Sequence, residues 1–146
     1  MIKTILALII SIASPFCLCA KVVKQYLCNA SGSIDFVIDS IDYRSDVTRV
    51  YGKLKGQPHT SNRIDKLAIR YDESAPAECT DIDGVDMHRW FQWEESGLIE
   101  VEIDFPTGIP SRRIEINALC AKGESIWIIQ TKESKTKTSK RTGGKK

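Results

Sequence analysis

His59 and His88 are the only two imidazoles in the chain, so any histidine general acid or base must be one of them. His59 follows Pro58 in a turn-like stretch, and His88 stands in the run Met87-His88-Arg89-Trp90-Phe91-Gln92-Trp93. Neither adjoins a serine in a nucleophile-elbow sequence. Both are therefore expected to be structural or solvated, although each is retained as a ligand-binding candidate. Carboxylates are plentiful, 19 Asp and Glu in all, but most fall on alternate positions of apolar runs, where they read as the wet faces of strands. No catalytic pair is nominated among them.

Asp81, Asp83 and Asp86, with Gly84 between them, match the opening of a calcium loop, in which clustered carboxylates bind a hard cation beside a sharp bend. The remainder of an EF-hand pattern and its flanking helices do not follow. A polar hairpin turn at Asp83-Gly84 is the expectation, with no metal and no cofactor. Beyond Cys17 and Cys19, the cysteines are Cys28, Cys79 and Cys120. A catalytic dithiol favours the Cys-x-x-Cys spacing, which is absent. Three cysteines in an oxidising compartment predict one disulfide and one free thiol, with the pairing left open.

Arg89 and Trp90 carry the clearest binding chemistry. In an extended segment successive side chains point to opposite faces, so Trp90 is set against Phe91 and Trp93. One set can fill a core. An exposed Trp90 beside Arg89 could stack on a sugar ring or anchor a protein partner; the competing reading covers both sets with core or loops. Ligand-binding candidates are thus His59, His88, Arg89 and Trp90. Asn29-Ala30-Ser31 matches the glycosylation sequon, which matters only in a eukaryotic host.

The elements that must position these groups follow from the patterning. Lys3, the apolar run Ile5 to Ala13, Pro15 and the small residues up to Ala20 read as a secretory signal peptide over residues 1–20. The run is shorter than the roughly 20 residues a membrane-spanning helix needs. The chain is expected to be exported, periplasmic or secreted, and not membrane-spanning. Cys17 and Cys19 follow Phe16 and Leu18 rather than small residues, which argues against a lipoprotein acceptor.

Residues 21–131 are one domain's worth of chain. There the apolar period is two: Ile99, Val101, Ile103 and Phe105 alternate with Glu100, Glu102 and Asp104. Similar runs lie at Val22 to Cys28, Ile34 to Asp39, Val47 to Leu54, Leu67 to Tyr71, Met87 to Trp93, Ile114 to Ala118 and around Trp127. Ser31-Gly32, Gly56-Gln57-Pro58, Asp83-Gly84, Ser96-Gly97 and Lys122-Gly123 punctuate them as turn signals. About eight antiparallel strands at this spacing predict an all-β, immunoglobulin-like β-sandwich.

Residues 132–146 hold seven bases and one acid and no large apolar side chain, which predicts a disordered basic tail. Without them and Lys3, 13 bases face 18 acids, so the domain itself is acidic. The tail could attach the protein to a polyanion, but export leaves little nucleic acid to meet. No nucleic-acid partner is expected.

Three stretches in order carry a resemblance: DVTRVYGKLKG at 46–56 with the following PHTSNRI, WFQWEESGLIEVEIDFP at 90–106, and ESIWIIQ at 124–130. They resemble a small β-sandwich module of secreted Bacteroidetes proteins that often stands N-terminal to a thioredoxin-like domain. The resemblance implies the sandwich fold and no settled activity. The redox chemistry of the neighbouring domain has no counterpart here, since its Cys-x-x-Cys is missing. The leading expectation is an exported, non-enzymatic binding or accessory module of the bacterial envelope or secreted fraction, contacting a protein or glycan through a loop rim or an edge strand. One alternative is an envelope hydrolase using His59 or His88 with nearby carboxylates; another is surface attachment through the tail.

Overall fold

The computed structural model describes residues 21–23 and 26–131. The signal-peptide and basic-tail readings fall on residues 1–20 and 132–146, outside the described residues. Among the described residues every regular element is a strand, and no helix is long and apolar enough to cross a membrane.

The strands are β1 (Lys21–Val23), β2 (Tyr26–Gly32), β3 (Asp35–Tyr43), β4 (Val47–Lys55), β5 (Ser61–Asn62), β6 (Ile64–Tyr71), β7 (Ala77–Glu78), β8 (Asp81–Asp83), β9 (Phe91–Gln92), β10 (Leu98–Pro106), β11 (Arg113–Cys120) and β12 (Gly123–Thr131). A first sheet runs β1-β3-β4-β10-β8 and a second β2-β12-β11-β6-β7, while β5 and β9 form a short separate ribbon. Every pairing is antiparallel. The expected all-β sandwich is what the chain forms, with seven long strands and five of two or three residues in place of about eight short ones.

Alternation explains the core. Along β4, Thr48, Val50, Gly52 and Leu54 are buried while Arg49, Tyr51 and Lys53 are half-exposed. Its partner β10 turns Val101, Ile103 and Phe105 inward to the same side. The second sheet answers with Leu67, Ile69, Ile114, Ile116, Trp127 and Ile129, all at most 1% exposed. The two layers meet at Phe36 and Trp127, whose rings stack with centroids 4.5 Å apart. The Trp127 indole N–H donates to the Ile34 carbonyl at 2.8 Å, so this core indole is buried with its one polar group paired.

Three local expectations are corrected. Met87 to Trp93 is not a strand: only Phe91–Gln92 pairs, and His88 turns the backbone with a φ of 64°. The His88 amide donates to the Ile64 carbonyl and the Trp93 amide to the Thr60 carbonyl, so this segment's hydrogen bonds go to residues 59–64 and it forms no ladder with either large sheet. Asp83-Gly84 is not a tight hairpin turn either. β8 pairs with β10, which the chain reaches only after the long connection past Val85. Gly84, at a φ of 104°, ends β8 where an added Cβ would lie 2.1 Å from the Glu100 carbonyl oxygen.

Among the described residues no disulfide forms: Cys28, Cys79 and Cys120 are all free thiols. The register keeps them apart. Cys28 is opposite Ile129 and Cys120 is opposite Gly123, so they flank β12 at places about 20 Å apart at roughly 3.3 Å per residue. Cys79 lies beyond β7, across the whole sheet from Cys28 and two strand spacings, about 10 Å, from β11. A disulfide needs Cα atoms within about 7 Å.

Candidate functional site

The site grows from the β5–β9 ribbon. Ser61 is opposite Gln92 and Asn62 opposite Phe91. One step further along this antiparallel register sets Arg63 opposite Trp90. Period-two alternation then divides the aromatic run between inside and outside. Trp93 is 2% exposed, packs edge-on to Phe91 at 5.1 Å, and lies over Gly56, where an added Cβ would come within 2.4 Å of the indole. Trp90, on the other side, is 57% exposed. Burying Trp93 is thus what anchors the ribbon and presents Trp90 to solvent.

Arg63 completes the platform. Its guanidinium carbon stands 5.2 Å from the Trp90 ring centroid, a cation–π contact. The guanidinium is itself fixed from behind: Nε donates to Asp65 Oδ1 at 2.7 Å and Nη2 to Oδ2 at 2.9 Å, a two-pronged pair. That pair holds the Asp65 carboxyl below the ordinary carboxylate range and the Arg63 guanidinium above its own. An arginine oriented in this way keeps one side of the indole covered and its position defined.

The four candidate residues separate. His88 joins the Trp90 cluster, with Nδ1 3.6 Å from Asp65 Oδ1, beyond hydrogen-bonding distance. Both Asp65 oxygens are committed to Arg63, so this carboxylate orients the arginine and does not orient His88 as a base. Arg89 is exposed beside the platform and pairs loosely with Asp86 at 3.8 Å. His59 is elsewhere: its amide donates to the Trp93 carbonyl at the opposite end of the ribbon, and it adopts a φ of 61° in an exposed turn. Arg63 and Asp65 were missed by sequence reasoning, because only the β5–β9 register brings residue 63 beside residue 90. The signal available was the polar stretch Ser61-Asn62-Arg63 preceding the alternation of β6.

The remaining chemistry-bearing groups are subdued. Burial pushes the Cys28 and Cys79 thiols up to about 11, and pushes Cys120 upward as well, which holds them as thiols rather than thiolates at neutral pH. Asp81 and Asp83 are exposed on edge strand β8, and among the described residues no three His, Cys, Asp or Glu side chains gather as a metal site. At the other end of β6, a hollow of about 560 Å³ is bounded by Tyr71, Ala77, Gly108 and Ile109.

No protein-family model, no curated protein and no solved structure matches the chain.

Proposed function

We propose that the protein is an exported, non-enzymatic binding module of the bacterial envelope or secreted fraction, which holds a protein or glycan partner against the Trp90–Arg63 platform. The observation that carries this reading is an indole 57% exposed on a segment whose neighbour, Trp93, is fully used in the core. A large aromatic left in water while an arginine is held against its ring presents a rigid apolar face with a cationic border. Sugar rings and partner hot spots both use such faces. Arg89 and His88 border the same platform and extend its polar rim. The envelope setting rests on the signal-peptide reading of residues 1–20 and on the resemblance to the secreted sandwich module.

The three tryptophans make this testable by fluorescence. Trp93 and Trp127 are at most 2% exposed, so iodide or acrylamide should quench Trp90 alone. Titration with soluble envelope oligosaccharides and with fractionated envelope proteins should protect Trp90 from the quencher where a partner is present. Trp90→Ala should abolish that binding while leaving the melting temperature within a few degrees. Binding that survives Trp90→Ala, or a Trp90→Ala protein that no longer folds, would remove the platform as the binding site.

A further inference from the structure

A sheet edge presents a row of unpaired N–H and C=O groups, and proteins usually blunt such edges by shortness, charge or proline. Three of the four edges of the two large sheets are blunted: β1 has three residues, β7 two, and β8 three with Asp81 and Asp83 exposed upon it. The fourth, β2, is different. It runs seven residues, Tyr-Leu-Cys-Asn-Ala-Ser-Gly, with neither a charged side chain nor a proline, in a chain whose residues are 27% charged. One side of β2 pairs with β12 from Tyr26 to Gly32; among the described residues nothing pairs with its other side.

We infer that β2 is the contact between two copies of this chain, joined by antiparallel β2–β2 pairing about a two-fold axis at Asn29. The strand is self-complementary in this register. Asn29 meets Asn29 of the second copy, Cys28 meets Ala30, Leu27 meets Ser31, and Tyr26 meets Gly32. Each side chain keeps its own face of the joined sheet, because opposed residues in an antiparallel pair lie on the same side. The inner row, Tyr26, Cys28 and Ala30, is half-buried at the rim of the core, with Cys28 Sγ donating to the Phe36 carbonyl of β3 at 3.3 Å, and a paired strand would set its own inner row alongside. The outer row, Leu27, Asn29 and Ser31, is exposed, with Leu27 at 54%. No like charges oppose one another anywhere along the strand, the condition that a self-pairing edge must meet and that β8 does not. Neutrality along the whole strand selects a second copy over a charged peptide, whose side chains would find no counter-charge there.

Sedimentation velocity on the full chain across a wide concentration series should show a monomer–dimer equilibrium. Asn29→Lys, at an exposed position, sets two ammonium groups opposite each other on the axis. It should raise the dimer dissociation constant about fivefold or more with an unchanged melting temperature at low concentration. Asn29→Cys should give a covalent dimer under mild oxidation, linked at position 29 by peptide mapping. Leu119→Cys, equally exposed but two strands away, should not. A chain that stays monomeric at high concentration, or a dimer unaffected by Asn29→Lys, or one cross-linked at position 119 instead, would overturn the inference. Because Trp90 is on the ribbon and not on the paired edge, Trp90→Ala should leave the dimer intact.

Discussion

The two outer faces of the sandwich are built on the same alternation and solve exposure to water differently. On the first sheet, the row across β3, β4 and β10 reads Asp42, Arg49, Asp104, and the next reads Ser40, Tyr51, Glu102. Arg49 grips Asp104 with two hydrogen bonds of 2.6 and 2.8 Å, Arg44 holds Asp42 at 2.7 Å, and Lys53 reaches Asp39 at 3.0 Å. This face is a lattice of ion pairs with acids in excess. On the second sheet, the row across β2, β12, β11 and β6 reads Ser31, Ile126, Asn117, Ala68, with Ile128 and Leu119 nearby. Its ion pairs, such as Arg70 with Glu115 at 3.1 Å, lie toward the β6 side. Charge on the first face suits permanent hydration, whereas the neutral strip beside β2 can be covered without desolvating an ion.

The largest effect should come from the layer that both faces share. Trp127→Ala removes the stacked ring and the bond to Ile34, and should cost about 3 to 5 kcal/mol in urea unfolding. A loss well below that range would mean that the two sheets are stabilised separately.

Next comes the ion-pair face. Asp104→Asn should cost about 1 to 2 kcal/mol, the value of charge-assisted hydrogen bonds discounted for the solvent contact of Arg49. Arg49 holds the Asp104 carboxyl below its usual range near 4. A carboxyl lowered by folding contributes stability that is full above its unfolded value and disappears as pH falls through the lower folded one. The parent protein should therefore lose part of its stability between about pH 4 and more acidic values, and Asp104→Asn should lose less over the same interval. Parallel pH–stability curves for the two proteins would refute the assignment.

The smallest effect belongs to the other face. Leu119→Lys replaces a side chain 51% exposed, opposite Glu124 on β12 and Lys66 on β6, and should change stability by no more than about 0.5 kcal/mol. If it costs more, Leu119 is part of a packed surface rather than a solvated one. A slow reaction of Cys28 and Cys79 with thiol reagents at neutral pH, accelerating only as pH approaches 11, would check that burial governs those groups.

Much of the architecture is legible without coordinates. The Glu-flanked run from Leu98 to Phe105 declares its buried and wet sides, and β10 buries Val101, Ile103 and Phe105 as that pattern requires. Alternation sets Trp90 and Trp93 on opposite sides, and the protein does so with a two-residue ribbon and a turn at His88 rather than with one continuous strand. The failures are of another kind. Counting three cysteines suggests a disulfide, but pairing depends on where β2, β7 and β11 fall across a sheet. His88 was seen as a neighbour of Trp90, yet its nearest carboxylate, Asp65, stands 23 positions earlier and belongs to Arg63.

What the sequence determines by itself is the period of two and therefore which side of each strand faces water, since side-chain direction along an extended backbone is local. Only the tertiary structure decides register and strand order, because these depend on hydrogen bonds between segments distant in the chain. Arg63 meets Trp90, β2 becomes an edge, and three thiols remain apart for that reason. The residues that could do chemistry were readable one by one; the platform and the open edge exist only once the strands have found their partners.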